Sequence, residues 1–174
     1  NIINLDVKNC IFKNLKAAYG AAFCFQVGSG SNLSVTNCAF INNTVVKDGG
    51  SIWIESKVGN VYFKNNVFIN CSGASGGAIY FSGSVNDLKF DNVNFTNVQS
   101  TGNGGAICVG GAITSLTWNN VNFTNAKITK DNYHGGAVYF KSLPDNSIFS
   151  NTNFIKCSAI RYGGAFYLEN AVDG

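Results

Sequence analysis

The 174-residue chain is predicted to fold as an all-β, right-handed parallel β-helix of about six coils, each about 28 residues long with three short strands. Three observations predict it. A phenylalanine recurs at Phe12, Phe40, Phe68, Phe95, Phe123 and Phe154, in steps of 28, 28, 27, 28 and 31 residues. An asparagine stands three residues before each, at Asn9, Asn37, Asn65, Asn92, Asn120 and Asn151. A glycine turn follows at a nearly fixed distance, its last Gly at Gly20, Gly50, Gly77, Gly105, Gly136 and Gly164. A period of this length marks a solenoid or propeller, and a propeller blade would need about 40 residues or more.

Each element of the repeat follows from its residues. In the third copy Val61 and Phe63 alternate with Tyr62 and Lys64, so one face of the first strand is buried and the other wet. The matches of Phe63 are Val7, Val35, Phe90, Trp118 and Phe149, all apolar, whereas those of Lys64 are Lys8, Thr36, Asp91, Asn119 and Ser150, all polar. No window of 11 residues or more carries a helical apolar period. The asparagine then marks a bend, because Asn tolerates left-handed backbone and its amide can bond up and down a stack of like residues. A second short strand surrounds the phenylalanine. After a loop, the glycine pair supplies positive φ and room for the turn into a third strand such as Ile79-Tyr80-Phe81. Right-handed crossovers are strongly preferred between parallel strands. At about 4.8 Å per coil, six coils make a rod of roughly 29 Å. The first copy keeps only Gly20 after Tyr19, so its turn is expected to differ. The stretch from Ala126 to His134 and the segment Leu143-Pro144-Asp145-Asn146 are lengthened corners, where a solenoid absorbs insertions.

Composition narrows the function classes. Apolar residues make up 45% of the chain and charged ones only 12%, which suits sheet and turns better than solvated helices. A net charge of +3 without runs of like charge offers no nucleic-acid or membrane-surface footprint. No run of 18 apolar residues is present to span a bilayer. The chain lacks an initiator Met and starts and stops partway through the repeat. Residues 1–174 are therefore expected to be one β-helix domain cut from a longer repeat protein.

The motifs GGAI (Gly76 to Ile79 and Gly104 to Ile107), GGAV from Gly135, GGAF from Gly163 and GGSI from Gly49 recur in phase with the phenylalanines. With the Phe-x-x-Asn spacings Phe40–Asn43 and Phe63–Asn66, they resemble the repeats of chlamydial polymorphic membrane proteins. They are also similar to the large adhesin-like surface proteins of methanogenic archaea. Most copies here read Phe-x-Asn instead, as in Phe95-Thr96-Asn97. The resemblance covers the whole chain and implies a non-enzymatic segment displayed at a cell surface, acting in attachment or as a stalk. The implied partners are a host or neighbouring-cell surface protein or glycan and the neighbouring repeats of the same protein.

An enzyme of this architecture acting on acidic polysaccharides, a lyase or hydrolase, would need carboxylates clustered on adjacent coils. The nine acidic residues are scattered instead. Glu55 and Glu169 share a repeat position but lie four coils apart, roughly 19 Å. Asp87 and Asp91 bracket Lys89 and are candidates to sit close together. His134, the single histidine, falls in the longest loop and reads as an ordinary surface residue, so no catalytic residue, cofactor or metal site is assigned. Among the six cysteines, Cys10 and Cys38 match on adjacent coils and could touch, Cys71 and Cys157 match three coils apart, and Cys24 and Cys108 belong to different faces of the third strand. Buried thiols packing as small hydrophobes are the competing reading. Asn32, Asn42, Asn70, Asn94 and Asn122 open Asn-x-Ser/Thr sequons.

The most suggestive surface lies on the third strand. Alternation sends Phe23, Trp53, Tyr80, Cys108, Tyr139 and Tyr167 outward in one line, a candidate platform for sugar rings or a protein partner. Stacking that merely stabilises the sheet and cover by a neighbouring segment of the full protein are the structural alternatives. Three other functions remain open: a carbohydrate-binding module using the stripe, a polysaccharide lyase or hydrolase, and a filament subunit joined through open coil ends.

Overall fold

A computed structural model describes residues 3–170, and all of the regular structure in them is β-strand. Strands pair in parallel throughout, each residue facing its counterpart one repeat away: Phe40 pairs Phe12 and Phe68, and Phe95 pairs Phe68 and Phe123. The molecule is a β-solenoid of about six coils.

Three sheets run along its length. The first holds nine strands. In the three middle coils the expected first and second strands fuse into the 12-residue strands Val58–Ile69, Val85–Thr96 and Ile113–Thr124. The fusion has a local cause. Asn65, Asn92 and Asn120 hold φ of 52°, 54° and 52°, turning the chain within a strand without breaking its ladder. In the last coil the inserted corner, closed by a Ser147 amide bond to the Pro144 carbonyl at 3.2 Å, shortens this strand to Ile148–Ser150, and Asn153–Ile155 pairs separately. The second sheet holds five two-residue strands in the segment expected to be loop, among them Thr44–Val45, Ser72–Gly73 and Gln99–Ser100. The third sheet holds six strands, each following a glycine turn: Phe23–Phe25, Ile52–Ile54, Ile79–Phe81, Ile107–Val109, Val138–Phe140 and Phe166–Leu168.

The core is a column of matched apolar side chains. Rings of Phe12, Phe40, Phe68, Phe95, Phe123 and Phe154 stack at centroid spacings of 5.0, 4.5, 4.8, 4.8 and 5.0 Å, within 10° of parallel. Beside them Phe63 stacks on Phe90 at 4.8 Å, and Trp118 meets Phe90 edge-on at 5.3 Å. Full burial of each such ring stabilises by about 1.5–3 kcal/mol. Stacking adds about 0.5–1.5 kcal/mol per pair.

The asparagine ladder forms on the outside of the first bend. Asn37, Asn65, Asn92 and Asn120 each donate through Nδ2 to the Oδ1 of the preceding rung at 2.9–3.1 Å. Asn151 keeps the left-handed φ of 49° but reaches Asn119 instead, 3.3 Å away. A second ladder follows the phenylalanines, with Asn14, Asn42, Asn70, Asn97 and Asn125 at φ of 54–59°. Asn42 bonds Asn14, Asn70 bonds Asn42 and Asn125 bonds Asn97, at 2.8–3.1 Å. Two sequons, those of Asn42 and Asn70, fall on this ladder.

Each glycine pair divides its work. The first Gly holds positive φ, between 61° and 77° from Gly49 to Gly163. The second lets the coils close up, since a Cβ on Gly77 would overlap the carbonyl oxygens of Gly105 and Gln99. In the first coil Gly20, with φ of 43°, matches the first Gly of the pair and not the last, so its turn follows the common plan with Ala21 in the second place.

Candidate functional site: the outer face of the third sheet

Register assigns the outward row of the third sheet as Cys24, Trp53, Tyr80, Cys108, Tyr139 and Tyr167. Phe23 is therefore not part of the stripe. It pairs Ile52 in the inward row and meets Phe12 edge-on at 5.9 Å. The error comes from matching Gly20 to the second glycine of the later pairs, because a slip of one residue exchanges the two faces of a strand. The same slip separated Cys24 from Cys108, which share this row.

The row divides into two aromatic groups. At one end Trp53 is half-buried under Tyr19, whose ring stacks on the indole at 4.4 Å. Its Nε1 is buried without a hydrogen-bond partner. At the other end His134 packs against both Tyr167 and Tyr162, with centroids 4.5 and 5.3 Å away, and those two rings stack on each other at 6.4 Å. Tyr139 stacks on Tyr167 at 6.0 Å, and the Arg161 guanidinium sits 5.2 Å over the Tyr162 ring. His134 is thus a half-buried member of a cluster and not a plain surface residue; its Nδ1 is buried and unpartnered. The parallel bridge from His134 to Tyr162 brings the lengthened loop alongside the next coil. Sequence reading missed Tyr19 and Tyr162 because neither occupies the strand that carries the alternation.

Between the groups the surface is less open than the pattern implied. Cys108 is 3% exposed and Tyr139 only 6%. Tyr139 donates its hydroxyl to Glu169 Oε2. Burial, together with that acceptor and its charge, pushes the Tyr139 phenol far above its ordinary value. Burial likewise pushes Tyr80 up to about 12, helped by Cys108 and Asp48. Glu55 accepts from Gln26 one coil below, as Glu169 does from Tyr139.

Elsewhere, residues singled out from the sequence are engaged in structural contacts. Lys89 pairs with Asp87 at 2.6 Å, whereas Asp91 faces Lys64 at 3.9 Å and accepts from Asn119 at 2.9 Å. Asp87 and Asp91 do not sit close together: four residues of extended strand separate them by about 13 Å. All six cysteines are free thiols, Cys10 and Cys38 included. Cys38 contacts the Thr36 carbonyl at 3.2 Å, and the matching place in the third coil belongs to Asn66. This buried amide donates to the Val35 carbonyl at 2.8 Å and accepts from the Cys38 amide at 2.9 Å. A shallow polar groove of about 230 Å³, lined by Asn70, Ser72, Asn97, Gln99, Asn125 and Lys127 among others, opens beside the second ladder. Among the described residues no three His, Cys, Asp or Glu side chains are grouped to hold a metal ion, and no helix is long and apolar enough to cross a membrane.

Coil stacking and parallel pairing define the class: an all-β parallel β-solenoid. No protein-family model, curated protein or solved structure matches this chain.

Proposed function

We propose that this solenoid is a non-enzymatic attachment or stalk segment displayed at a cell surface, and that the outer face of its third sheet contacts a glycan or surface protein. The observation that carries the reading is the pair of aromatic groups, Tyr19 with Trp53 and His134 with Tyr162 and Tyr167, held on one wall of a rigid rod. Flat rings with polar edges suit sugar faces and protein contacts alike, and rigid backbone beneath them limits the ordering lost on binding. Several weak contacts along a long repeat would add through avidity. The engagement of Asp87, Asp91, Glu55 and Glu169 with neighbouring side chains favours a structural role for these carboxylates.

A carbohydrate-recognition module using the same aromatics is the second reading, and a glycan array separates it from a stalk that binds protein. The common test replaces Trp53 and Tyr80 by alanine together. Attachment to cells or glycans should weaken while the fold remains. Unchanged attachment removes the Trp53 end of this face from consideration, and the same measurement on Tyr162→Ala with Tyr167→Ala decides the other end. Release of reducing ends or unsaturated uronides from acidic polysaccharides, with or without Ca²⁺, would instead make the protein an enzyme.

A further inference from the structure

The outward row of the second sheet runs Lys16, Thr44, Ser72, Gln99 and Lys127, one residue per coil. Beside it stands the second asparagine ladder, and that ladder is interrupted. Asn70 donates Nδ2 to Asn42 at 3.1 Å and Asn97 accepts from Asn125 at 2.8 Å, yet among the described residues no bond joins Asn70 to Asn97. Asn70 Oδ1 and Asn97 Nδ2 are left without a protein partner at the groove of about 230 Å³, which Gln99 and Lys127 also line. A second hollow of about 210 Å³ shares Ser72 and Gln99 with it and opens on the other side of the row, toward Thr101 and Thr129. Together they follow the axis along the side wall of the middle coils. Charge is segregated in the same sense. Among the described residues the ion pairs Lys8–Asp6, Lys64–Asp91 and Lys89–Asp87 all belong to the first sheet. Lys16, Lys47, Lys127 and Lys130 border the second sheet and pair with no carboxylate there. The acids nearest along the chain are Asp48 and Asp131, and Asp48 accepts from the Ser75 amide at 2.9 Å.

We propose that this wall binds an acidic glycan chain, one bearing uronate carboxylates, laid along the solenoid axis. The site is separate from the third-sheet face proposed for attachment and does not depend on it. The donor set carries the assignment. Sugar hydroxyls both give and accept hydrogen bonds, and Asn70 Oδ1, Asn97 Nδ2 and the Gln99 amide offer groups of both kinds. Coils repeat at about 4.8 Å, close to the advance of one pyranose along an extended chain, so successive sugars meet equivalent positions. From Thr44 to Lys127 the row advances by three coils, about 14 Å, which accommodates a short run of sugars. Lys127, lining the groove, places one ammonium where a carboxylate can meet it. A single cation among neutral amides suits a polymer of widely spaced carboxylates. It suits less well a nucleic acid, whose duplex carries a charge every 1.7 Å or about that.

The test is calorimetric titration of the 174-residue chain with oligogalacturonate and with oligoalginate at low salt. At least one should bind, and its methyl ester, which keeps the sugars but not the charge, should bind several-fold more weakly. Gln99→Ala and Lys127→Ala should each weaken binding by about two- to fivefold, and Lys127→Arg should retain it. Both side chains stand in the outward row, so neither substitution should move the thermal midpoint. Trp53→Ala with Tyr80→Ala should leave this affinity unchanged, because those residues lie on the third sheet. Failure of both acidic glycans to bind overturns the proposal. So does equal affinity for the methyl ester, or for a thymidine oligonucleotide, which would mark a surface that does not read uronates. Binding lost through Trp53 and Tyr80 but untouched at Gln99 and Lys127 would move the glycan to the third sheet; it would overturn this site while supporting the attachment face.

Discussion

Asn65 donates its side-chain amide to Oδ1 of Asn37, 3.0 Å away on the coil below, while its own backbone sits at a φ of 52°. Its Oδ1 accepts from Asn92 at 2.9 Å on the coil above. One residue type thus meets two demands, a left-handed bend and a hydrogen-bonded rung. Asn65→Ala should lower unfolding free energy by about 1–3 kcal/mol, combining backbone strain with lost rungs. Asn65→Gly removes the strain but not the loss of rungs, so it should cost about 1 kcal/mol. Urea denaturation of the pair checks the order; equal losses would mean the φ constraint contributes nothing.

Phe68 is fully buried between Phe40 and Phe95, at 4.5 and 4.8 Å. Phe68→Ala should destabilise by about 3–5 kcal/mol. Phe12→Ala, at the end of the same column and half-buried, should cost clearly less. Thermal unfolding of both variants tests whether the column's stability is concentrated at its centre.

The glycine pairs offer a contrast between neighbours in sequence pattern but not in space. Gly77→Ala drives a methyl into two backbone carbonyls of the next coil and should cost about 3 kcal/mol, because backbone has little room to yield. The equivalent Gly164→Ala should cost clearly less in the 174-residue chain, where the nearest atom to its Cβ is the Cys157 carbonyl oxygen at 3.6 Å. Comparable midpoints for the two would contradict close coil packing at this turn.

Tyr80 gives a pH signature. Burial, then Cys108 and Asp48, raises its folded pKa from 10.0 to about 12. A raised folded pKa means the neutral phenol is favoured by folding, so its contribution is intact below pH 10 and is lost as pH climbs through 12. Over that window wild type should lose stability more steeply than Tyr80→Phe. Parallel slopes in denaturation measurements would show that the phenol is as well solvated folded as unfolded.

Thiol accessibility supplies an independent check on the outer row. Cys24 is exposed, whereas Cys71 and Cys108 are buried and have their pKa raised by that burial. A thiol reagent should modify Cys24 in the native protein and reach Cys71 and Cys108 only on unfolding. Rapid native labelling of Cys108 would mean the third sheet is far more open than described.

The repeat phase made the fold legible, because a residue such as Phe68 predicts its own neighbours once copies are stacked. The phenylalanine column, the first asparagine ladder and the outward positions of Trp53, Tyr80, Tyr139 and Tyr167 all follow from that one relation. Less visible were features that depend on side-chain direction or on residues outside the strands. Asn14, Asn42, Asn70, Asn97 and Asn125 form a second ladder hidden among a high general abundance of asparagine. Ser72–Gly73 is too short to show alternation, and its pairing comes from the coils above and below. Tyr19 covers Trp53 from the preceding coil, and the lengthened loop brings His134 onto Tyr162 and Tyr167. Neither contact has a sequence period. The misplacement of Phe23 shows how a strand of three residues, with a single Gly before it, leaves register ambiguous by one.

The central claim is that matched residues of successive copies lie directly over one another. Nuclear Overhauser contacts among the phenylalanine rings measure this most directly. Ring protons of Phe68 should contact those of Phe40 and Phe95 but not those of Phe123, two coils away at about 9.6 Å. A spectrum in which Phe68 lacks both neighbours, or contacts Phe123 instead, would contradict the solenoid and everything drawn from it.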